Sequence, residues 1–125
     1  MGMNRPIVLT ALFLLMGCHV SVYPYRGAIA RYEVITNGCM ARASYGAEPS
    51  FRKHEVVENG WTHEAPIRHR DYLYLTATST CPDGDVETNI YVKRSGTNAF
   101  TLFSTSSTQD FPQTKSSSTG GTYLE

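Results

Sequence analysis

The stretch Tyr72-Leu73-Tyr74-Leu75-Thr76-Ala77-Thr78 decides the fold. Apolar and polar residues alternate through it, so Leu73, Leu75 and Ala77 point one way while Tyr74, Thr76 and Thr78 point the other. Its β-branched and aromatic residues suit a pleated surface that is wet on one side. The same period continues on either side. Cys81 keeps the parity of the leucines, and the turn Pro82-Asp83-Gly84-Asp85 leads to another alternating run in which Val86, Thr88, Ile90 and Val92 share a face. The opposite face of that run carries Glu87, Asn89, Tyr91 and Lys93. Ser95-Gly96-Thr97-Asn98 then turns into a last strand over 99–104 that holds Phe100, Leu102 and Phe103.

Upstream the pattern repeats in short runs. Tyr32-Glu33-Val34-Ile35 reads as the first strand, and Asn37-Gly38 after it favours a tight hairpin. Cys39-Met40-Ala41-Arg42-Ala43-Ser44-Tyr45 is the second, with Cys39, Ala41, Ala43 and Tyr45 inward and Arg42 and Ser44 outward. Residues 51–57 form a third, which the charges of Arg52, Lys53, His54 and Glu55 assign to a sheet edge. After Glu58-Asn59-Gly60, Trp61-Thr62-His63-Glu64-Ala65-Pro66-Ile67 is a fourth, and Pro66, which cannot donate to a ladder, marks an edge or a bulge. The expected fold is all-β: a small immunoglobulin-like β-sandwich of about seven strands over 29–104. Residues 105–125, rich in Ser, Thr and Gly, read as a disordered tail whose side chains bury too little to offset the entropy of ordering.

The amino-terminal end has another character. Arg5 is followed by the apolar run Ile7-Val8-Leu9-Thr10-Ala11-Leu12-Phe13-Leu14-Leu15-Met16, then by Gly17 and Cys18. A basic start, an apolar stretch too short for a bilayer and a small residue at its end read as a signal peptide over 1–17. Leu15-Met16-Gly17-Cys18 resembles the lipobox of bacterial lipoproteins. That resemblance implies that Cys18 is the lipidation site, carrying a thioether-linked diacylglycerol and becoming the first residue of the mature chain. Two or three acyl chains hold a protein to a membrane where one would not. Residues 18–28, with Tyr23-Pro24-Tyr25-Arg26-Gly27, then serve as a lipidated tether. His19 stands where an aspartate would resemble an inner-membrane retention signal, so the expected location is the cell envelope, at an outer membrane where the organism has one.

Composition narrows the function classes. The chain balances 11 basic against 11 acidic residues and offers no basic face for nucleic acid. With Cys18 acylated, Cys39 and Cys81 remain as a pair in an oxidising compartment and are expected to form a disulfide. Both keep the parity of the core residues, so the two would meet if their strands lie antiparallel and adjacent.

The order Tyr32-Glu33-Val34, Ala41-Arg42-Ala43-Ser44-Tyr45, Trp61-Thr62, Leu73-Tyr74-Leu75-Thr76-Ala77 and Cys81, closed by a final hairpin, resembles the soluble domain of the MmpS family. The resemblance implies a compact β-sandwich that accompanies a large transporter of lipids or siderophores. The chain departs from that family in carrying a lipobox in place of a transmembrane helix, and in lacking a proline before its Trp61.

Catalytic signatures are sparse. His54, His63 and His69 with Glu64 and Asp71 form the one titratable cluster in the sequence, and His63-Glu64 misses the spacing of a helical zinc-protease motif. A metal-binding or hydrolytic protein using His63 and His69 is the alternative reading, and it needs a third ligand that the sequence does not identify. Arg52, Arg68, His69 and Arg70 are candidates for a small basic patch. The favoured expectation is a non-catalytic binding or accessory module without a cofactor, joined to the membrane through Cys18 and to an envelope or transporter protein. Tyr74 and Tyr91, both on outward faces, are the candidate contact residues. A structural surface lipoprotein without a transport partner is the second alternative.

Overall fold

A computed structural model describes residues 27–110 and 115–125. Among them are nine β-strands and no helix. They are β1 (Ile29–Thr36), β2 (Ala41–Glu48), β3 (Phe51–Val57), β4 (Trp61–Pro66), β5 (Tyr72–Ser79), β6 (Val86–Lys93), β7 (Thr101–Ser106), the two-residue β8 (Gln109–Asp110) and β9 (Lys115–Thr122). They build two antiparallel sheets, a four-stranded one in the order β4-β1-β6-β7 and a five-stranded one in the order β3-β2-β5-β9-β8. The β-sandwich expected from the alternating runs is therefore present, and two of its four edge strands are those the sequence marked. Charged β3 and proline-ended β4 each border a sheet.

The core lies between the sheets and follows the alternation. Ala30, Tyr32 and Val34 of β1, Ala43 and Tyr45 of β2, Leu73, Leu75 and Ala77 of β5, and Ile90 and Val92 of β6 are all buried. Tyr32 spans the core, its hydroxyl donating to the carbonyl of Gly46 in the opposite sheet at 2.9 Å. Tyr32, and Tyr45 through its bond to Glu55, thus remove large apolar rings from water while their polar ends keep a partner.

Cys39 and Cys81 are bonded, with their Cα atoms 6.0 Å apart. The register explains the pairing. β2 lies antiparallel to β5 with Ala41 opposite Ser79, and one more alternate step along both chains sets the cysteines face to face. Thr80 donates its amide to the carbonyl of Met40 at 2.9 Å between them. The disulfide therefore staples two neighbouring strands of one sheet just beyond the end of their ladder.

Two expectations are corrected. Asn37-Gly38 does not close a hairpin, because β1 and β2 belong to different sheets and the turn carries the chain across the sandwich. Gly38 has φ of 116°, which favours glycine, and the Thr36 hydroxyl donates to the carbonyl of Cys39 at 2.6 Å, tying the crossing together. The second correction concerns 105–125, read as a disordered tail. Its Lys115–Thr122 is β9, paired with β5 from Tyr72 opposite Thr122 to Thr78 opposite Ser116. Small residues are what this position takes. A Cβ on Gly120 would lie 2.6 Å from the carbonyl oxygen of Leu73, and the buried Ser117 shares a 2.8 Å hydrogen bond with Thr88 of the other sheet.

The strand is held at its end by Tyr123, which is fully buried. Its backbone exchanges bonds with the β4–β5 connection, Arg70 donating to its carbonyl at 2.8 Å and its own amide donating to Asp71 at 2.9 Å. Ala28, assigned to the tether, is a core residue whose carbonyl accepts from Ile67 at 3.0 Å. The lipobox, Cys18 and the rest of the expected tether up to residue 26 lie outside the described residues.

Candidate functional site on the outer face of the five-stranded sheet

The sandwich presents two outer faces, and their side chains are arranged differently. On the four-stranded sheet, the residues that alternate outward satisfy one another. Arg31 pairs with Glu64 at 2.8 Å, and its guanidinium also lies 4.0 Å from the centre of the Phe100 ring. Glu33 accepts from the Asn89 side chain at 3.0 Å and from the Tyr91 hydroxyl at 3.3 Å. Asn89 donates to Glu87 at 2.9 Å and accepts from Thr105, and it is only 4% exposed. The Tyr91 hydroxyl is held protonated above its ordinary range, by burial first and by the Glu33 charge second. Tyr91, a candidate contact residue from its outward parity, is therefore committed within the chain.

The five-stranded face is built from lateral rows set by the strand registers. His54, Ser44, Thr76 and Ser118 stand side by side across β3, β2, β5 and β9. Val56, Arg42, Thr78 and Ser116 form the row on one side of it, and Arg52, Gly46, Tyr74 and Gly120 the row on the other. Beyond the β3 margin, with its His54, Val56 and Arg52, the side chains of these rows are small apart from Arg42 of β2 and Tyr74 of β5. The result is a shallow trough. One cavity of about 520 Å³ is lined by Arg42, Ser44, His54, Val56, Thr76 and Thr78 among others. A second, of about 310 Å³, shares Ser44 and His54 with it and extends past Arg52 to Tyr72 and Tyr74.

Few of these groups are used internally. Arg52 pairs with Glu48, and the Ser118 hydroxyl bonds that of Thr76 at 3.2 Å. Among the described residues Arg42 and His54 have neither an ion-pair partner nor a side-chain hydrogen bond. Tyr72 is 48% exposed and Val56 55%. A polar group that folding leaves unbonded at the surface remains available to a ligand.

Other hollows are less available. The cleft of about 450 Å³ at one end of the sandwich is lined by Thr36, Asp85, Glu87 and Thr108 among others. Four of its polar side chains are engaged. The Thr36 hydroxyl bonds Cys39, that of Thr108 bonds both backbone groups of Val86, Asp85 faces Lys115 at 3.5 Å, and Glu87 accepts from Asn89.

The titratable cluster read from the sequence is dispersed. His63 lies beside Tyr45 and stacks on Trp61 with ring centres 6.2 Å apart, while His69 accepts from the amide of Glu125 at 3.0 Å. Glu64 is paired with Arg31, and Asp71 is buried, accepting from the Ser50 hydroxyl and the Arg68 amide at 2.8 Å each. Among the described residues no three His, Cys, Asp or Glu side chains converge on one point. Nor is the basic patch a single feature. Arg52 lies on the sheet face with Glu48, whereas Arg68, His69 and Arg70 belong to the β4–β5 connection.

Arg42 was thus placed outward by parity but not singled out, and His54 was read only as a member of the titratable cluster. What the sequence conceals is β9, which supplies the fourth column of the face. Comparison of the chain with family models, with curated proteins and with solved structures returns no match.

Proposed function

We propose that the protein is a lipid-anchored module of the cell envelope that binds a partner rather than catalysing a reaction, using the outer face of the five-stranded sheet. The observation that carries this reading is the trough over Ser44, Thr76 and Thr78, where Arg42 and His54 stand without partners among the described residues on a rigid, disulfide-stapled sheet. Rigid placement reduces the ordering cost of binding. The lipobox resemblance supplies the anchor at Cys18, and the MmpS-like order of motifs supports an accessory role beside an envelope transporter or assembly.

The test places a photo-crosslinking residue at Thr78, in the trough, or at Thr62, on the opposite face, in cells carrying the full-length chain. Covalent adducts of higher mass are expected from Thr78 and not from Thr62. Cys18→Ala is expected to remove the protein from the membrane fraction and the adducts with it. Equal adducts from both positions, or none from Thr78, would overturn the reading.

A further inference from the structure

We propose that the trough holds an extended acidic polysaccharide, whose hydroxyls meet the Ser/Thr floor and whose carboxylates meet Arg42. The inference rests on the binding-module reading and names its ligand.

The dimensions call for an extended ligand. From Thr78 to Tyr72 the trough follows six residues of β5, about 20 Å at the rise of a strand. Across it, the four columns of side chains span about 14 Å at the spacing of neighbouring strands.

The surface chemistry then separates the possible occupants. Ser44, Thr76, Thr78 and Ser118 each offer a hydroxyl that both donates and accepts, the pattern that matches another hydroxyl-rich chain. Tyr72 and Tyr74 stand at one end, and an aromatic ring is a surface on which the C–H face of a sugar packs. An acyl chain or an apolar helix face would cover Arg42, His54 and the hydroxyls of Ser44, Thr76 and Thr78 without giving them partners, a desolvation cost that a hydroxyl-rich ligand avoids. A peptide adding as a strand needs a free sheet edge, yet the floor strands β2 and β5 are paired on both sides. Charge completes the selection. Glu48 is neutralised by Arg52, and Glu55, opposite the inward Ala43, turns its carboxylate to the buried Tyr45 hydroxyl at 2.7 Å, which leaves the guanidinium of Arg42 as the unpaired charge on the outer side of the larger cavity among the described residues. A guanidinium is suited to a bidentate hold on a carboxylate.

The experiment uses the full-length chain in detergent micelles, run on native gels cast with polygalacturonate or with dextran as the uncharged control. Retardation is expected with polygalacturonate and not with dextran. Arg42→Gln is expected to weaken it about tenfold, the scale of one charge-assisted pair. Thr78→Asp, which sets a like charge beside the polymer, should do the same, and Glu64→Gln on the opposite face should leave it unchanged. Near-ultraviolet circular dichroism of each variant separates lost binding from lost folding. No retardation of the wild-type chain, or retardation that both trough variants leave intact, would overturn the inference. If the Thr78 photo-adducts persist without retardation, the ligand assignment fails and the binding-module reading stands. If both are absent, both fail.

Discussion

The two outer faces of this sandwich come from the same alternation of residues and reach opposite ends. On the four-stranded sheet, Arg31, Glu33, Glu64, Glu87, Asn89 and Tyr91 close into a network of hydrogen bonds and one ion pair. On the five-stranded sheet, Arg42 and His54 flank a floor of hydroxyls whose one internal bond among the described residues joins Thr76 to Ser118. Both faces are polar, and polarity alone would not tell them apart. The difference lies in how far the polar groups are consumed by folding, because a group bonded inside the chain must give up that bond before it can bind anything else.

The largest expected effect removes the staple of the five-stranded sheet. Replacing Cys39 and Cys81 by alanine opens a link across 42 positions, and the chain-entropy model gives a loss of about 4 kcal/mol. Urea unfolding under oxidising conditions measures it. Next comes the contrast between the two sides of one strand. Leu75→Ala, in the core, is expected to cost about 3 kcal/mol, whereas Thr76→Ala beside it should cost less than about 0.5 kcal/mol because its side chain faces solvent.

A smaller effect compares the faces directly. Glu33→Ala removes the acceptor shared by Asn89 and Tyr91 and is expected to destabilise the fold by about 1–2 kcal/mol. Arg42→Gln should change stability by less than about 0.5 kcal/mol, because folding makes no use of that charge among the described residues. Equal losses from the two variants would erase the distinction drawn here.

The smallest expected effect lies where the sheets meet. The hydroxyls of Tyr32 and Tyr45 are held protonated well above the ordinary tyrosine value, burial being the main cause in both, with Asp71 adding to it at Tyr32 and the Glu55 hydrogen bond at Tyr45. The unfolded chain ionises near pH 10, so the folded state binds more protons above that pH. Stability is therefore full below about pH 10 and falls as pH rises further. Tyr45→Phe should flatten that fall when urea midpoints at pH 8 and pH 10.5 are compared.

Much of this architecture was legible in the residues. The parity of Leu73, Leu75 and Ala77 assigned the core side of β5, and carrying the same parity to Cys39 and Cys81 anticipated the disulfide. Charge on β3 and proline in β4 marked two of the four edges. Turns were less informative, since Asn37-Gly38 marks where the chain reverses but not whether it stays in its sheet. β9 was concealed for a physical reason. A run of Ser, Thr and Gly has little apolar surface of its own, and it is ordered by a neighbour's ladder, by Gly120 fitting against Leu73 and by the buried anchor Tyr123. The alternation of Ser117, Thr119 and Gly121 inward with Ser116, Ser118 and Gly120 outward was the signal available, and composition hid it. Without β9 the face has three columns rather than four, so the trough was only partly visible in the sequence.

The distinction between the faces is tested most directly by hydroxyl-radical footprinting of the full-length protein, on intact envelopes and after purification in detergent. Side chains of the five-stranded face, Tyr72, Tyr74, His54 and Val56, should be protected in the envelope and become reactive on purification. Tyr91 and Leu102 of the four-stranded face should react alike in both. Protection confined to Tyr91 and Leu102, or spread equally over the two faces, would contradict the account.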